Sequence, residues 1–179
     1  MTAQSVLSFW FEAIEPKQWW GKSDEFDQLI ANRFGALHAA AARCELGDWR
    51  ATPQGRLAEI IVLDQFSRNI YRDQPQAFAC DPLALALAQH AVALQADQAL
   101  PAQQRTFLYM PYMHSESPLI HTSALPLFSQ PGLEHAVPSE LRHKAIVDRF
   151  GRYPHRNTIL RRSSTAEEID FLATPGSSF

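Results

Sequence analysis

The chain has 179 residues, of which 46% are hydrophobic and 20% charged, and its formal net charge is −3. This composition is that of an ordinary globular protein, which excludes extensive disorder, and the charge is too small to indicate a polyanionic partner. No stretch approaches the roughly 20 apolar residues of a membrane helix and the N-terminus lacks a secretory pattern, so we expect one soluble, cytoplasmic domain spanning residues 1–179.

Aromatic side chains are concentrated in the first 20 residues, at Phe9, Trp10, Phe11, Trp19 and Trp20. Packing in the core is the first interpretation of this cluster, and a wall on which a ligand stacks is the alternative. The two cysteines, Cys44 and Cys80, form no CxxC pair, which excludes a cysteine-rich zinc site. We expect both thiols to be buried.

Signals for helix starts recur along the chain. Ser23 precedes a run of apolar residues with a period near 3.6 and an acidic first turn, which the helix dipole favours. Thr52 and Pro53, and again Asp81 and Pro82, pair an N-cap residue with a proline at the first helical position. Each of these three places is therefore predicted to begin a helix.

The last helix is predicted to begin with a capping box formed by Thr165 and Glu168. No alternating pattern typical of strands occurs, so the sequence predicts an all-α fold of about eight or nine helices with short connections. Residues 115–138 contain four prolines and are predicted to be a loop-rich segment with one short helix.

The segment 53–71 places charged residues on an apolar helix face. On a helix of 100° per residue, Asp64 and Arg68 fall within the apolar arc defined by Leu57, Ile60 and Ile61. A buried carboxylate and guanidinium need internal partners, because leaving one unpaired costs about 3–5 kcal/mol. Two interpretations stay open: an ion pair that fixes helix packing, and one wall of an inward-facing polar cleft.

The segment 107–117 ends with a histidine and a glutamate. If it is helical, His114 shares a face with Phe107 and Met110, Pro111 kinks the helix, and Glu116 follows closely. This combination suits acid–base chemistry or metal ligation. A histidine that caps the helix or is satisfied within the core is the alternative.

The segment 149–165 is rich in arginine. Gly151 is predicted to end one helix and Pro154 to open the next, with the side chains of Arg152, His155, Arg156 and Asn157 around that start. A helix N-terminus flanked by arginines suits an anion, although a carboxylate from Asp64 or Glu116 would serve equally. The basic run 142–162 lacks the interleaved aromatic residues of a nucleic-acid platform, so no nucleic-acid partner is expected.

Long motifs connect these segments to a known family. The stretches VLSFWFE, WWGKSDEFD, LDQFSRNIYR, FLYMPYMHSE, RFGRYPHRN and STAEEIDFL resemble the bacterial domain of unknown function 924 family, at residues 6–12, 19–27, 63–72, 107–116, 149–157 and 164–172. The resemblance implies a tetratricopeptide-like, right-handed stack of helices. It implies no established activity and no cofactor. Residues 115–138 depart from the family pattern, which leaves their role open.

Three functions are compatible with these residues. The first is a site for a small anionic molecule, with Arg68, Arg152 and Arg156 holding the anion. In a catalytic version of that site, His114 or His155 acts as general base and is oriented by Asp64 or Glu116. The complete set of candidate residues is Asp64, Arg68, His114, Glu116, Arg152, His155, Arg156 and Asn157.

The second function is a protein-interaction module in which the buried ion pairs are purely structural. The third is a metal site at His114, Glu116, His155 and Asp64, which the dispersed spacing does not favour. Whether the protein is an enzyme, and its oligomeric state, stay open. The charge balance makes one geometric prediction: Asp64 or Arg68 lies within hydrogen-bonding distance of the segment 152–157.

Overall fold

The computed structural model describes residues 1–178, and in this range it contains eight α-helices and no strand. The all-α class and the number of helices are therefore confirmed. The helices are α1 Ala3–Ser8, α2 Asp24–Ala42, α3 Pro53–Ile70, α4 Asp81–Ala93, α5 Ala102–Met113, α6 Pro118–Phe128, α7 Val137–Phe150 and α8 Ala166–Leu172. The tetratricopeptide-like stacking and the single domain over 1–179 stay predictions, and residue 179 lies outside the described residues.

Helix α3 is the centre of the molecule. It packs against α1, α2, α4 and α5, and Leu57, Ile60, Ile61 and Phe66 are completely buried. Burial extends around the whole helix rather than along one apolar arc, as in the core helix of a larger protein. No helix among residues 1–178 is both long enough and apolar enough to cross a membrane.

The N-terminal aromatic cluster divides between core and surface. Phe9 and Trp10 are buried and contact Phe66 of α3 edge-on, as the core interpretation expects. Phe11 and Trp19 are half-buried, whereas Trp20 keeps 61% of its surface exposed. Core packing therefore describes the first part of the cluster but not its last residue.

Side-chain caps begin the helices where the sequence predicts them. Ser23 accepts a hydrogen bond from the backbone N–H of Phe26, and Thr52 accepts one from Gly55. Thr165 and Glu168 form the complete capping box of α8. These predictions are confirmed because the capping signal is local and does not depend on the packing of distant segments.

Two local predictions are wrong. Asp81 does not cap α4, because Cys80 occupies the N-cap position and the Asp81 carboxylate is bound to Arg68 instead. Cys44 is exposed rather than buried. It lies in the turn after α2 with a φ of 61°, a left-handed conformation that is common just beyond a helix end.

Residues 115–138 contain the one helix that the sequence predicts, but the segment is less loop-rich than expected. The one helix inside it, α6, spans Pro118–Phe128, and a 3₁₀ turn at Glu134–Ala136 leads directly into α7. Pro118 and Pro138 occupy first-turn positions, where a missing N–H costs nothing. These two prolines therefore mark helix starts, whereas Pro126 lies inside α6 and Pro131 in the turn that follows it.

Gly55 allows α3 to begin against the preceding 3₁₀ turn. A Cβ atom at this position would lie 1.9 Å from the backbone oxygen of Trp49. We expect Gly55→Ala to lower the free energy of unfolding by about 1–3 kcal/mol, because the backbone has to shift. Gly35 in α2 is the matched control, since a Cβ there meets nothing within 4 Å.

Urea denaturation measures both substitutions. Gly35→Ala should raise the free energy of unfolding by about 0.5–1 kcal/mol, the usual gain from removing glycine from a helix interior. Equal effects of the two substitutions would contradict the steric argument for Gly55.

Candidate functional site

The three predicted segments meet beneath the C-terminal end of α5. Asp64 of α3 is fully buried, and its Oδ1 lies 2.7 Å from Nδ1 of His114, the C-cap residue of α5. Gln65 donates to the second carboxylate oxygen at 2.6 Å, and a guanidinium nitrogen of Arg68 lies at 3.8 Å. Burial would raise the pKa of Asp64, but His114, Arg68 and Gln65 outweigh it and lower the pKa to about 2.

An acid outside the predicted set joins the arginines. Asp81 accepts two hydrogen bonds from Arg68, at 2.7 and 2.9 Å, and one from Arg156 at 3.3 Å. The sequence predicts that Asp64 or Arg68 lies within hydrogen-bonding distance of the segment 152–157, and this stays a prediction. Asp81 connects Arg68 to Arg156 of that segment, because its position at the start of α4 brings its carboxylate between the two guanidinium groups.

Arg156 is held by stacking as well as by hydrogen bonds. Its guanidinium carbon lies 4.6 Å from the ring centroids of both Phe78 and Tyr153, distances typical of cation–π contacts. It also donates to the backbone oxygen of His114 at 3.0 Å. Burial, followed by the charge of Arg68, lowers the pKa of Arg156. The guanidinium carbon of Arg68 lies 4.9 Å from the centroid of the same Phe78 ring.

The remaining acid of the predicted set is neutralised by an unpredicted arginine. Glu116 accepts hydrogen bonds from Arg162 at 2.6 and 2.9 Å and from the backbone N–H of Tyr153 at 2.7 Å. Arg162 also donates to the side-chain oxygen of Asn157 at 3.0 Å. Burial would raise the pKa of Glu116, whereas Arg162 and the Tyr153 amide lower it, with a net decrease.

Arg152 lies apart from the Asp64–His114 pair. It donates to both carboxylate oxygens of Glu168, at 2.6 and 2.8 Å, and so connects the 152–157 segment to α8. The predicted helix at Pro154 is a single 3₁₀ turn, Pro154–Arg156. The helix N-terminus expected there is therefore wrong, because this turn is too short to have a helix dipole, and anion binding by the segment stays a prediction.

His155 is surrounded by positive charge. Burial and the charge of Arg156 lower its pKa to about 4, and Arg68 and Lys22 act in the same direction while Glu116 opposes them. Lys22 belongs to the WWGKSDEFD stretch, so a fourth motif reaches the same region. Sequence reasoning missed this lysine, although the motif that contains it was identified.

A second buried pair lies beside this region. His121 of α6 and Glu140 of α7 are both completely buried, with 2.7 Å between Nδ1 and Oε1. Nε2 of His121 lies 2.9 Å from the backbone oxygen of Ser115. The pair ties α6 to α7 and gives the 115–138 segment a structural role that its proline content does not indicate.

The acidic side chains of this region are paired with arginines or a histidine rather than grouped together. Within residues 1–178, no group of three or more His, Cys, Asp or Glu side chains is placed to hold a metal. In the cluster, the carboxylates Asp81 and Glu116 already bind arginines.

Comparisons with known proteins agree with the sequence motifs. Residues 6–176 match the family described as "Bacterial protein of unknown function (DUF924)". The structure of a protein of unknown function from Agrobacterium tumefaciens is similar, with 38% sequence identity, a TM-score of 0.88 and coverage of 96% of each chain. No curated protein matches the chain.

Proposed function

The chain belongs to this family of bacterial proteins of unknown function, and we propose that it binds a small anionic molecule where His114 reaches the surface. The observation that carries the proposal is the contact of 2.7 Å between the buried carboxylate of Asp64 and Nδ1 of His114. In this proposal His114 exchanges a proton with the bound molecule, and nearby cations hold its negative charge.

The protonation of Asp64 decides which nitrogen of His114 is available. Because the pKa of Asp64 is lowered to about 2, the carboxylate is ionised at neutral pH and Nδ1 of His114 must carry the proton between them. Nε2 is then the free nitrogen of a ring that is 16% exposed. A histidine oriented in this way by a carboxylate is suited to general acid–base chemistry.

The charge balance favours an anion. Glu116 and Arg162 cancel each other. The other formal charges around the two histidines are three positive and two negative, from Lys22, Arg68 and Arg156 against Asp64 and Asp81. With the two histidines left out of the count, one positive charge therefore remains, and a carboxylate or phosphate would offset it.

The second candidate is an interaction module in which this ionic network only fixes the fold. It is favoured by the internal pairing of the arginines: Arg68 and Arg156 share Asp81, Arg152 binds Glu168, and Arg162 binds Glu116. Under this alternative, small anions would bind no better than their ionic strength predicts.

Isothermal titration with inorganic phosphate at constant ionic strength distinguishes the two candidates. We expect saturable binding that His114→Asn weakens by about tenfold or more, the value of one charge-assisted hydrogen bond. Asparagine is the sharpest change because its amide can replace Nδ1 as donor to Asp64 while Nε2 is lost. His90→Asn is the control, since His90 is an exposed residue of α4.

A second pair of variants tests the role of charge. Lys22→Met should weaken phosphate binding severalfold, whereas Lys17→Met should leave it unchanged, because Lys17 is exposed and paired with Glu15. No saturable phosphate binding by the wild type, or equal affinity in all four variants, would refute the anion site and favour the interaction module.

A further inference from the structure

A groove of about 290 Å³ lies where the turn after Pro16–Trp19 packs on α5. Its walls come from three parts of the chain, and the lining residues are Trp19, Trp20, Gln103, Thr106, Phe107, Gly132 and His135. None of them belongs to the proposed anion site. Trp19, Trp20 and Phe107 contribute aromatic rings to the groove, and Gln103, Thr106 and His135 contribute polar groups.

The aromatic walls have a defined geometry. Trp20 and Phe107 are nearly parallel, with an interplanar angle of 10° and centroids 5.9 Å apart. Trp19 meets Phe107 edge-on at 5.0 Å, and its indole N–H donates to the backbone oxygen of Trp10 at 2.9 Å. Trp20 is the outermost ring and is 61% exposed. Trp20 therefore covers the buried Phe107 ring, and the surface left for a flat ring is the exposed side of Trp20 itself.

The segment 19–22 borders both the groove and the proposed anion site. Lys22 is only two residues beyond Trp20, at most about 7 Å along the chain, and its charge acts on His155. On α5, Phe107 and His114 are separated by two helical turns, about 10 Å, and lie on the same side. One small molecule is therefore long enough to stack a ring on Trp20 and place an anionic group beside the charge of Lys22.

We propose that the anion recognised by this protein is attached to an aromatic ring, as in an aryl phosphate or an aromatic carboxylate. The ring stacks against Trp20 at the mouth of the groove, and the anionic group points toward Lys22 and His114. This inference rests on the proposed function for the anionic end of the molecule. It adds the class of ligand, which the charges alone do not specify.

The test compares three probes by isothermal titration: inorganic phosphate, phenyl phosphate and cyclohexyl phosphate. We expect phenyl phosphate to bind about tenfold more tightly than inorganic phosphate, from ring burial and stacking together, and more tightly than cyclohexyl phosphate. Trp20→Leu should remove this gain and leave the affinity for inorganic phosphate unchanged. Trp49→Leu, which alters a tryptophan outside the groove, is the control and should keep the gain.

The outcomes separate the two proposals. If inorganic phosphate binds but phenyl phosphate binds no more tightly, or if the gain survives in Trp20→Leu, the aromatic ligand class is wrong and the anion site stands. If cyclohexyl phosphate equals phenyl phosphate, the groove recognises apolar bulk and the inference of an aromatic ring is overturned. If neither inorganic phosphate nor phenyl phosphate binds, both proposals fail.

Discussion

Replacing Asp81 by alanine is expected to lower the free energy of unfolding by about 3–5 kcal/mol. Its carboxylate is 16% exposed and is shared by Arg68 and Arg156, which stack on the same Phe78 ring. Without Asp81, the two guanidinium groups would face each other in a poorly solvated place. Arg68 would keep Asp64 at 3.8 Å and the backbone oxygen of Ala77, whereas Arg156 would lose its carboxylate contact.

Chemical denaturation monitored by circular dichroism measures this loss. Asp148→Ala is the matched control, because Asp148 forms an exposed i,i+4 pair with Lys144 and should change stability by no more than about 0.5 kcal/mol. Adding Arg156→Met to Asp81→Ala should recover part of the loss by removing one uncompensated charge. A single Asp81→Ala variant as stable as Asp148→Ala would refute the role of Asp81 in the network.

Sequence patterns predicted the parts of this structure that depend on short-range signals. The caps at Ser23, Thr52 and Thr165 are read from a few neighbouring residues. The burial of Asp64 follows from the period of one helix, which needs no knowledge of what packs against it. The sequence offered its contact with His114 only as one alternative, in which His114 or His155 is oriented by Asp64 or Glu116.

The sequence could not show which acid binds which arginine. Asp81, Glu116 and Glu168 are all acids near helix ends, and only packing assigns the first to Arg68 and Arg156 and the last to Arg152. The Asp–Pro pair at residues 81–82 predicts that Asp81 caps α4. That local pattern gives no indication that Asp81 instead binds Arg68 and Arg156. The predicted site contains more arginines than acids, and this excess indicates that a further carboxylate from elsewhere in the chain contacts them.

Acidification from pH 7 to pH 5 is expected to lower the free energy of unfolding by about 4 kcal/mol. Burial lowers the pKa of His143 to about 3 and contributes most to lowering that of His155 to about 4, whereas both titrate near 6.5 in the unfolded chain. Above pH 6.5 neither state binds these protons. Below it the unfolded state binds them and the folded state does not, so stability falls by about 2 kcal/mol per histidine at pH 5.

The carboxylates act in a different pH window. The pKa of Asp64 is lowered to about 2 from its ordinary 3.8, so its contribution to stability is intact above pH 3.8 and is lost only as the pH falls from there toward 2. A loss between pH 7 and pH 5 therefore reports on the histidines. Burial also lowers the pKa of His38, which adds to the loss in the same direction.

Urea denaturation at pH 7, 6 and 5 measures how steeply the free energy of unfolding changes with pH. The variant His143→Gln shows how much of this slope comes from His143. This variant should lose about 2 kcal/mol less than the wild type over the same interval, whatever its stability at pH 7, because one proton-binding difference is gone. His90→Gln, on the exposed side of α4, should keep the wild-type slope. An unchanged slope in His143→Gln would mean that the folded protein admits a proton at His143, and the packing of this histidine against Tyr153 at 5.8 Å would then have to open in mild acid.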